Sequence, residues 1–352
     1  MAVSPDDSLL AFADTTEIHL LQAETRTLAN TLRQLPEDTK DANPLDFRHG
    51  VGDTLLFLDD HRIATTGMGG LVSLWDVRSG RRLSVIEPPS SGVVASTLDY
   101  SPVTNHLIVG TSDGDILLTH ISGDTASPLM PVAKLGGYIW DLQFGPDGRY
   151  FASAAANASS VAIWDAETLE KVGDLDGARE VYRLALVPGE KTLVTAGEEI
   201  RVWEFFTREQ LAEVADPNMV LQGIGVGAAV AVTVLGVVAG AMLGVPFIDP
   251  ATQLALLPAG VAVRAEACSR SVAVSPDGKL VVTTTRGPSA NVMAVVDRSS
   301  DKVVDKWLAS VQVCDMEFSP NGKYLLTATD RGVQVYDTAD WKKTNLKAVG
   351  SD

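Results

Sequence analysis

The chain has 352 residues, 45% of them apolar and 21% charged, and a formal net charge of −17. So large an apolar fraction excludes a disordered chain, and a chain of this length buries roughly three quarters of its unfolded surface, enough for a real core. The acidity argues against a nucleic-acid binder, which needs Lys and Arg to displace phosphate counterions, and against anionic lipid as the main partner; it favours solubility and basic partners.

The chain opens on VSPDDSLLAFAD (3–14), two apolar stretches around a Pro-Asp turn, with no basic stretch and apolar run of a secretory leader. The acidic connection 34–50 follows; its Asp38, Asp41 and Asp46 lack the spacing of an EF-hand loop and read as solvated. LVSLWDVRSGRRL (71–83) alternates into a Trp-Asp pair, turns, and alternates again. SVAIWDAETLEKV (160–172) and EIRVWEFFTREQL (199–211) do the same. FGPDGRYFASAA (144–155), VSPDGKLVVTTT (274–285) and FSPNGKYLLTAT (318–329) each join two apolar strands through a Pro-Asp-Gly or Pro-Asn-Gly turn.

The Trp-acid position can be followed along the chain as Leu21-Gln22, Trp75-Asp76, Thr119-His120, Trp164-Asp165, Trp203-Glu204, Val296-Asp297 and Tyr336-Asp337. The spacings run from 39 to 54 residues, except for one of 93. Aligning GVPFIDPATQLALLPAG (244–260) with VAIWDAETLEKVGDLDG (161–177) matches Asp249 to Asp165 and Thr252 to Thr168, and divides that gap into 45 and 48. The expectation is therefore eight repeats, at about 1–34, 51–90, 94–135, 138–177, 180–216, 219–260, 268–310 and 312–349, in one domain spanning 1–352.

These Trp-Asp and Trp-Glu pairs, the Ser-Pro-Asp/Asn-Gly turns and the 40–45 residue spacing resemble the WD40 family of β-propellers. The resemblance implies an all-β fold of eight four-stranded blades, with seven blades and an apolar insertion at 217–248 as the alternative. The family's Gly-His dipeptide is absent, and repeats 1 and 3 have lost the Trp-acid pair. A single blade cannot bury both its faces alone, so blades pack around an axis. Ile139, Leu142 and Phe144, with Val313, Met316 and Phe318, are expected in the core, and Trp75, Trp164 and Trp203 are expected to pack between blades.

No charged residue lies between Asp216 and Asp249, the length of a membrane span, and Gly236, Gly240 and Gly244 would suit close helix packing. Against a span, the segment is rich in Val, and AVAVTVL (229–235) alternates with the strand period. It is expected to form a blade; the alternatives are a re-entrant membrane anchor or an apolar arm docking on a partner. Its Gly223, Gly225 and Gly227 have no βαβ context and make no dinucleotide loop.

No chemistry is expected. His19, His49, His61, His106 and His120 show no metal-ligand spacing, and neither a Gly-x-Ser-x-Gly elbow nor a His-Glu-x-x-His motif occurs. Cys268 and Cys314 read as buried thiols in a reducing compartment, which places the protein in the cytoplasm, or at a membrane if 217–248 anchors it. No catalytic residue, metal or cofactor is assigned. In the family, partners sit on the face where the innermost strands begin, and that mapping selects Tyr138, Trp140, Glu180, Tyr182, Cys268, Arg270, Gln312 and Cys314, to which the inner strands at the channel add Asp141, Arg183 and Asp315. Two tyrosines, a tryptophan and an arginine from adjacent blades have the composition of an interface hot spot. The expectation is a protein-interaction scaffold for protein partners, basic ones favoured, with oligomeric state open. Trp140→Ala with Tyr182→Ala is expected to abolish capture and leave the fold intact. The alternatives are a membrane-anchored subunit and, less favoured, a propeller enzyme.

Overall fold

A computed structural model describes residues 1–13, 17–23, 25, 27–33, 54–66, 71–87, 93–156, 158–197, 200–214, 271–286, 291–300, 302–309, 313–329 and 332–344. These residues form seven antiparallel sheets, whose strands lie side by side in chain order. Blade 1 comprises Ala2–Val3, Leu9–Ala13, Glu17–Gln22 and Leu28–Arg33. Blade 2 comprises Leu55–Phe57, Arg62–Thr66, Val72–Asp76 and Arg82–Ile86. Blade 3 runs Ala95–Ser101, His106–Thr111, Asp115–Ser122 and Met130–Lys134, with the short strand Thr125–Ala126 added as a hairpin on the third. Blade 4 holds Ile139–Phe144, Tyr150–Ala155, Val161–Asp165 and Glu170–Leu175, and blade 5 holds Arg183–Leu186, Thr192–Ala196, Ile200–Glu204 and Gln210–Val214. Blade 6 follows with Val272–Val274, Leu280–Arg286, Asn291–Asp297 and Lys302–Ala309, and blade 7 with Val313–Phe318, Tyr324–Thr329, Gly332–Asp337 and Lys343–Thr344.

The first strand of each sheet touches the first strand of the next, and that of blade 7 touches that of blade 1, so the seven strands close a ring about one axis. This is a seven-bladed propeller, and the eight-blade reading is wrong. The decisive contact lies between blades 5 and 6. Val187, Val194, Ala196, Ile200 and Val202 share one buried cluster with Val272, Val281 and Val296, leaving no space for a blade between them. The 93-residue spacing is one blade period plus an insertion. The segment 217–248 and the assigned repeat 219–260 lie outside the described residues, as does the connection 34–50.

Six further apolar clusters fill the remaining blade interfaces, including Leu20, Ile63 and Trp75 between blades 1 and 2, Ile108, Phe151 and Trp164 between blades 3 and 4, and Val3, Leu21, Leu326 and Val335 where the ring closes. Both faces of each sheet are buried, which explains strands such as Val161–Asp165 that are buried throughout.

The turns repeat one device. Ser4 Oγ donates to Asp6 Oδ1 at 2.6 Å and accepts the N–H of Leu9 at 2.9 Å. Ser275, Asp277 and Leu280 reproduce both distances, and Ser319 bonds Asn321 and Tyr324 in the same way at 2.9 Å each. The buried serine thus ties the turn to the strand that leaves it. Trp75, Trp164 and Trp203 are buried between blades, and each indole N–H donates to a hydroxyl on the second strand of its own blade: Thr65 at 3.0 Å, Ser153 at 2.9 Å and Thr195 at 3.0 Å. The acid of the pair caps the next turn. Asp165 accepts from the N–H groups of Glu167 and Thr168 and from Arg149 Nε at 2.9 Å, and these partners hold its carboxyl below the usual carboxylate range against the opposing effect of burial.

Candidate partner-binding face

The face where the innermost strands begin carries Tyr138, Trp140, Tyr182 and Arg183 side by side, at the junction of blades 4 and 5. Tyr138 and Trp140 enter the first strand of blade 4; their ring centroids are 4.7 Å apart at 47°. Tyr182, entering the first strand of blade 5, meets Trp140 edge-on at 5.4 Å and 62°. Both tyrosines are half-buried, and each leaves part of its ring at the surface. Trp140 is only 8% exposed and packs with Ala178, Val181, Leu184, Trp203 and Phe205. It is the floor of the patch and part of the core, so Trp140→Ala removes packing that the fold needs and is not a clean test of binding. Arg183 Nη1 donates to the carbonyls of Tyr182 at 3.1 Å and Trp140 at 3.4 Å, tying the two blades together beneath the rings. Glu180 is exposed and sits at φ 47°, the left-handed region that a side chain disfavours.

Asp141 points toward the axis. Its Oδ2 accepts the backbone N–H of Leu184 in blade 5 at 2.8 Å, and its Oδ1 that of Leu142 at 3.0 Å. Burial pushes its carboxyl up to about 6, with Arg183 opposing and Asp315 adding to the rise. Asp315 occupies the matching position of blade 7, across the channel, with its side chain 42% exposed. The mapping therefore brings Tyr138, Trp140, Tyr182 and Arg183 together, sets Asp141 just below them and Glu180 at their edge, and leaves Asp315 on the far side. Cys268, Arg270 and Gln312 lie outside the described residues.

Two channel groups escape that mapping because they lie one register step further along the strand. Asp99 of blade 3 accepts from the N–H of Phe144 and from Gln143 Nε2, and Glu317 of blade 7 accepts from the N–H of Val3. Burial pushes Asp99 up to about 7 and Glu317 up to about 8. Their signal in the sequence is the polar position between Leu98 and Tyr100 and that between Met316 and Phe318. These carboxyls are occupied with backbone donors, and among the described residues no group of three or more His, Cys, Asp or Glu is arranged to hold a metal. No helix among the described residues is long and apolar enough to cross a membrane.

A closed ring of seven antiparallel sheets, six of four strands and one of five, with an aromatic patch where the innermost strands of blades 4 and 5 begin, defines a β-propeller. The family described as "WD domain, G-beta repeat" matches residues 130–165 and 305–337, so these two stretches, in blades 3–4 and blades 6–7, are similar to WD40 repeats. WD repeat-containing protein 1 of Bos taurus is 28% identical over 156 residues, covering 42% of this chain and 25% of that protein. Serine-threonine kinase receptor-associated protein of Gallus gallus is 24% identical over 174 residues, covering 49% of this chain and 48% of that protein. The chain thus spans a quarter of the length of the first relative and about half of the second. A chain in the crystal structure of the mitotic checkpoint complex superposes with a TM-score of 0.65 at 17% identity, covering 96% of this chain and 88% of that one, a likeness of fold alone.

Proposed function

We propose that this chain is a non-catalytic interaction scaffold in the cytoplasm, and that its protein partner docks on the mouth of the channel at the junction of blades 4 and 5. The observation that carries the reading is the contiguous Tyr138–Trp140–Tyr182 array, with Arg183 beneath it and the strained, exposed Glu180 at its edge. Aromatic and arginine side chains of this kind supply large, rigid contact area at low entropic cost. The chain's net charge of −17 and the carboxylates below the patch favour a partner that presents basic groups. The relatives support the scaffold class by their repeats.

The test is quantitative affinity capture with the whole chain as bait. Tyr138→Ala with Tyr182→Ala, and separately Glu180→Arg, should deplete a defined set of partners at least tenfold, while Lys279→Glu on the opposite face retains them. Equal recovery by all baits would move the binding surface elsewhere.

A second reading concerns the uncharged stretch 217–248. Because blades 5 and 6 share a core, both ends of the insertion leave one ring, so any bilayer contact is re-entrant, interfacial or an even number of crossings. Flotation with liposomes distinguishes the readings: the whole chain floats and a chain lacking 217–248 does not, if this segment anchors it.

A further inference from the structure

Blade 3 departs from its neighbours where its third strand ends. The Trp-acid position there is Thr119-His120, and the strand continues to Ser122 before turning back into Thr125–Ala126. The register sets His120 directly opposite His106 on the second strand. In blade 4 the same two positions are Asp165 and Tyr150, so an imidazole stands where Asp165 caps its turn. Ile121 N–H donates to the Asn105 carbonyl at 2.8 Å, which makes the adjoining His106–His120 pair the closer, non-hydrogen-bonded kind. Alternation along the strands puts both rings on the side of Ile108 and Leu118, facing blade 4.

The ring centroids are 5.6 Å apart at 80°. His120 is exposed and His106 half-buried. His106 Nδ1 is sealed from water and has no hydrogen-bond partner. Burial, and secondarily the neighbouring His120, hold His106 below the usual imidazole range, so its ring is neutral at physiological pH. A neutral imidazole carries one N–H and one lone pair. An unpaired buried donor costs more than an unpaired acceptor, so the lone pair belongs on Nδ1, aimed at no protein donor.

Paired neutral imidazoles are the donor set of borderline divalent metals. We infer that His106 and His120 form a two-imidazole site for a divalent transition metal such as Zn²⁺, His106 ligating through Nδ1 and the exposed His120 turning to complete the pair. Zinc–nitrogen bonds of about 2.0–2.1 Å require the two donor nitrogens roughly 3.3 Å apart, so His120, whose ring centroid lies 5.6 Å from that of His106, must turn about its side-chain torsions to bind with it. No third protein ligand joins them among the described residues, so water must take the remaining positions, and binding must open a path to the sealed Nδ1 of His106. The pair escapes a reading by contiguous spacing because its members are 14 residues apart; its trace in the sequence is their symmetric placement about Asp113.

The test is calorimetric titration of the whole chain with Zn²⁺, alongside thermal unfolding with and without the ion. The wild-type chain should show one saturable Zn²⁺ equivalent and a Zn²⁺-dependent rise in Tm. His120→Gln, an exposed substitution that leaves the core untouched, should lose both, and His61→Gln should keep both. Absence of saturable binding in the wild type, or binding that survives His120→Gln unchanged, overturns the assignment.

Discussion

Asp99 of blade 3 accepts the backbone N–H of Phe144 in blade 4 at 2.6 Å. The relation recurs around the ring: Asp141 of blade 4 takes the N–H of Leu184 in blade 5 at 2.8 Å, and Glu317 of blade 7 takes that of Val3 in blade 1 at 3.3 Å. Innermost strands are sheet edges with unpaired donors facing the channel, and each acid closes one such donor on the following blade. The propeller is thus clasped at its axis as well as packed between its faces.

The clasps carry a pH dependence. Burial raises Asp99 to about 7, Asp141 to about 6 and Glu317 to about 8, all above the values of exposed carboxyls. Between pH 4 and 8 the folded chain therefore binds more protons than the unfolded one, and stability present in acid is lost as pH rises through these values. Tm should fall by a few degrees between pH 5 and 8. Self-repulsion from the net charge of −17 acts in the same direction, so the diagnostic quantity is the difference between profiles. Asp99→Asn, which keeps an acceptor for Phe144 N–H, should flatten the profile near pH 7; Asp99→Leu should cost about 1–3 kcal/mol at pH 5 and less above pH 7, where the wild type has itself lost the stability of the neutral carboxyl. Parallel wild-type and Asp99→Asn curves would remove Asp99 from the titration.

Blade 7 lacks a bond that blades 2, 4 and 5 make. Thr327 occupies the position of Ser153 and Thr195, but the ring opposite is Tyr336, whose hydroxyl lies 3.0 Å from Gln334 Oε1 and donates there. Thr327 Oγ1 is left buried without a partner, whereas Thr195 Oγ1 accepts from the buried Trp203 indole at 3.0 Å. The same near-isosteric substitution should then change sign between blades. Thr195→Val orphans the indole N–H and should cost about 1–3 kcal/mol, while Thr327→Val deletes an unsatisfied hydroxyl and should be neutral or stabilise by up to about 1 kcal/mol. Urea unfolding of the two variants measures both values; destabilisation by Thr327→Val comparable to that by Thr195→Val would show the hydroxyl to be satisfied.

The register explains why the blades were legible in the sequence and the ring count was not. Leu21, Trp75, Thr119, Trp164, Trp203, Val296 and Tyr336 pair with Leu10, Ile63, Leu107, Phe151, Leu193, Val281 and Leu325, one equivalent position in seven sheets. Alternation and turn chemistry are local and survive even where Trp has become Leu, Thr or Val. An insertion of about one repeat length obeys the same arithmetic as a blade, and only the packing of Val187 on Val272 tells them apart. The aromatic trio could be placed because its members flank readable turns. Trp140's role as floor, and the clasps from Asp99 and Glu317, depend on partners from other blades that no local pattern encodes.

Two glycines in left-handed turns separate conformational from steric cost. Gly114 has φ 88°, and a Cβ there would lie 2.0 Å from the Leu135 carbonyl oxygen; Gly189 has φ 74° and nothing within 4 Å. Gly189→Ala should cost only the backbone preference, about 1–2 kcal/mol. Gly114→Ala should cost more than about 3 kcal/mol, because a main-chain atom must move and Leu135 N–H is itself bonded to the Gly114 carbonyl at 2.7 Å. Similar losses for both would mean that the blade 3 hairpin yields without cost.

The contact between blades 5 and 6 makes the insertion dispensable to the ring. Val194 and Val202 of blade 5 are buried with Val281 and Val296 of blade 6, and Arg298 Nη2 meets Glu190 Oε2 at 3.0 Å across the same junction. Neither contact uses a residue between 215 and 270. Replacing 217–263 with a short Gly/Ser linker should therefore leave a folded propeller with a single cooperative transition. Shortening the loop severalfold also lowers its closure entropy, a gain of about 1 kcal/mol, so Tm should hold or rise slightly. If that stretch were instead an eighth blade, its removal would open the ring and expose two apolar faces, and the chain would aggregate or melt without cooperativity. Near-UV circular dichroism through a thermal scan separates the outcomes, and the same variant, once shown to be folded, is the one to carry into liposome flotation.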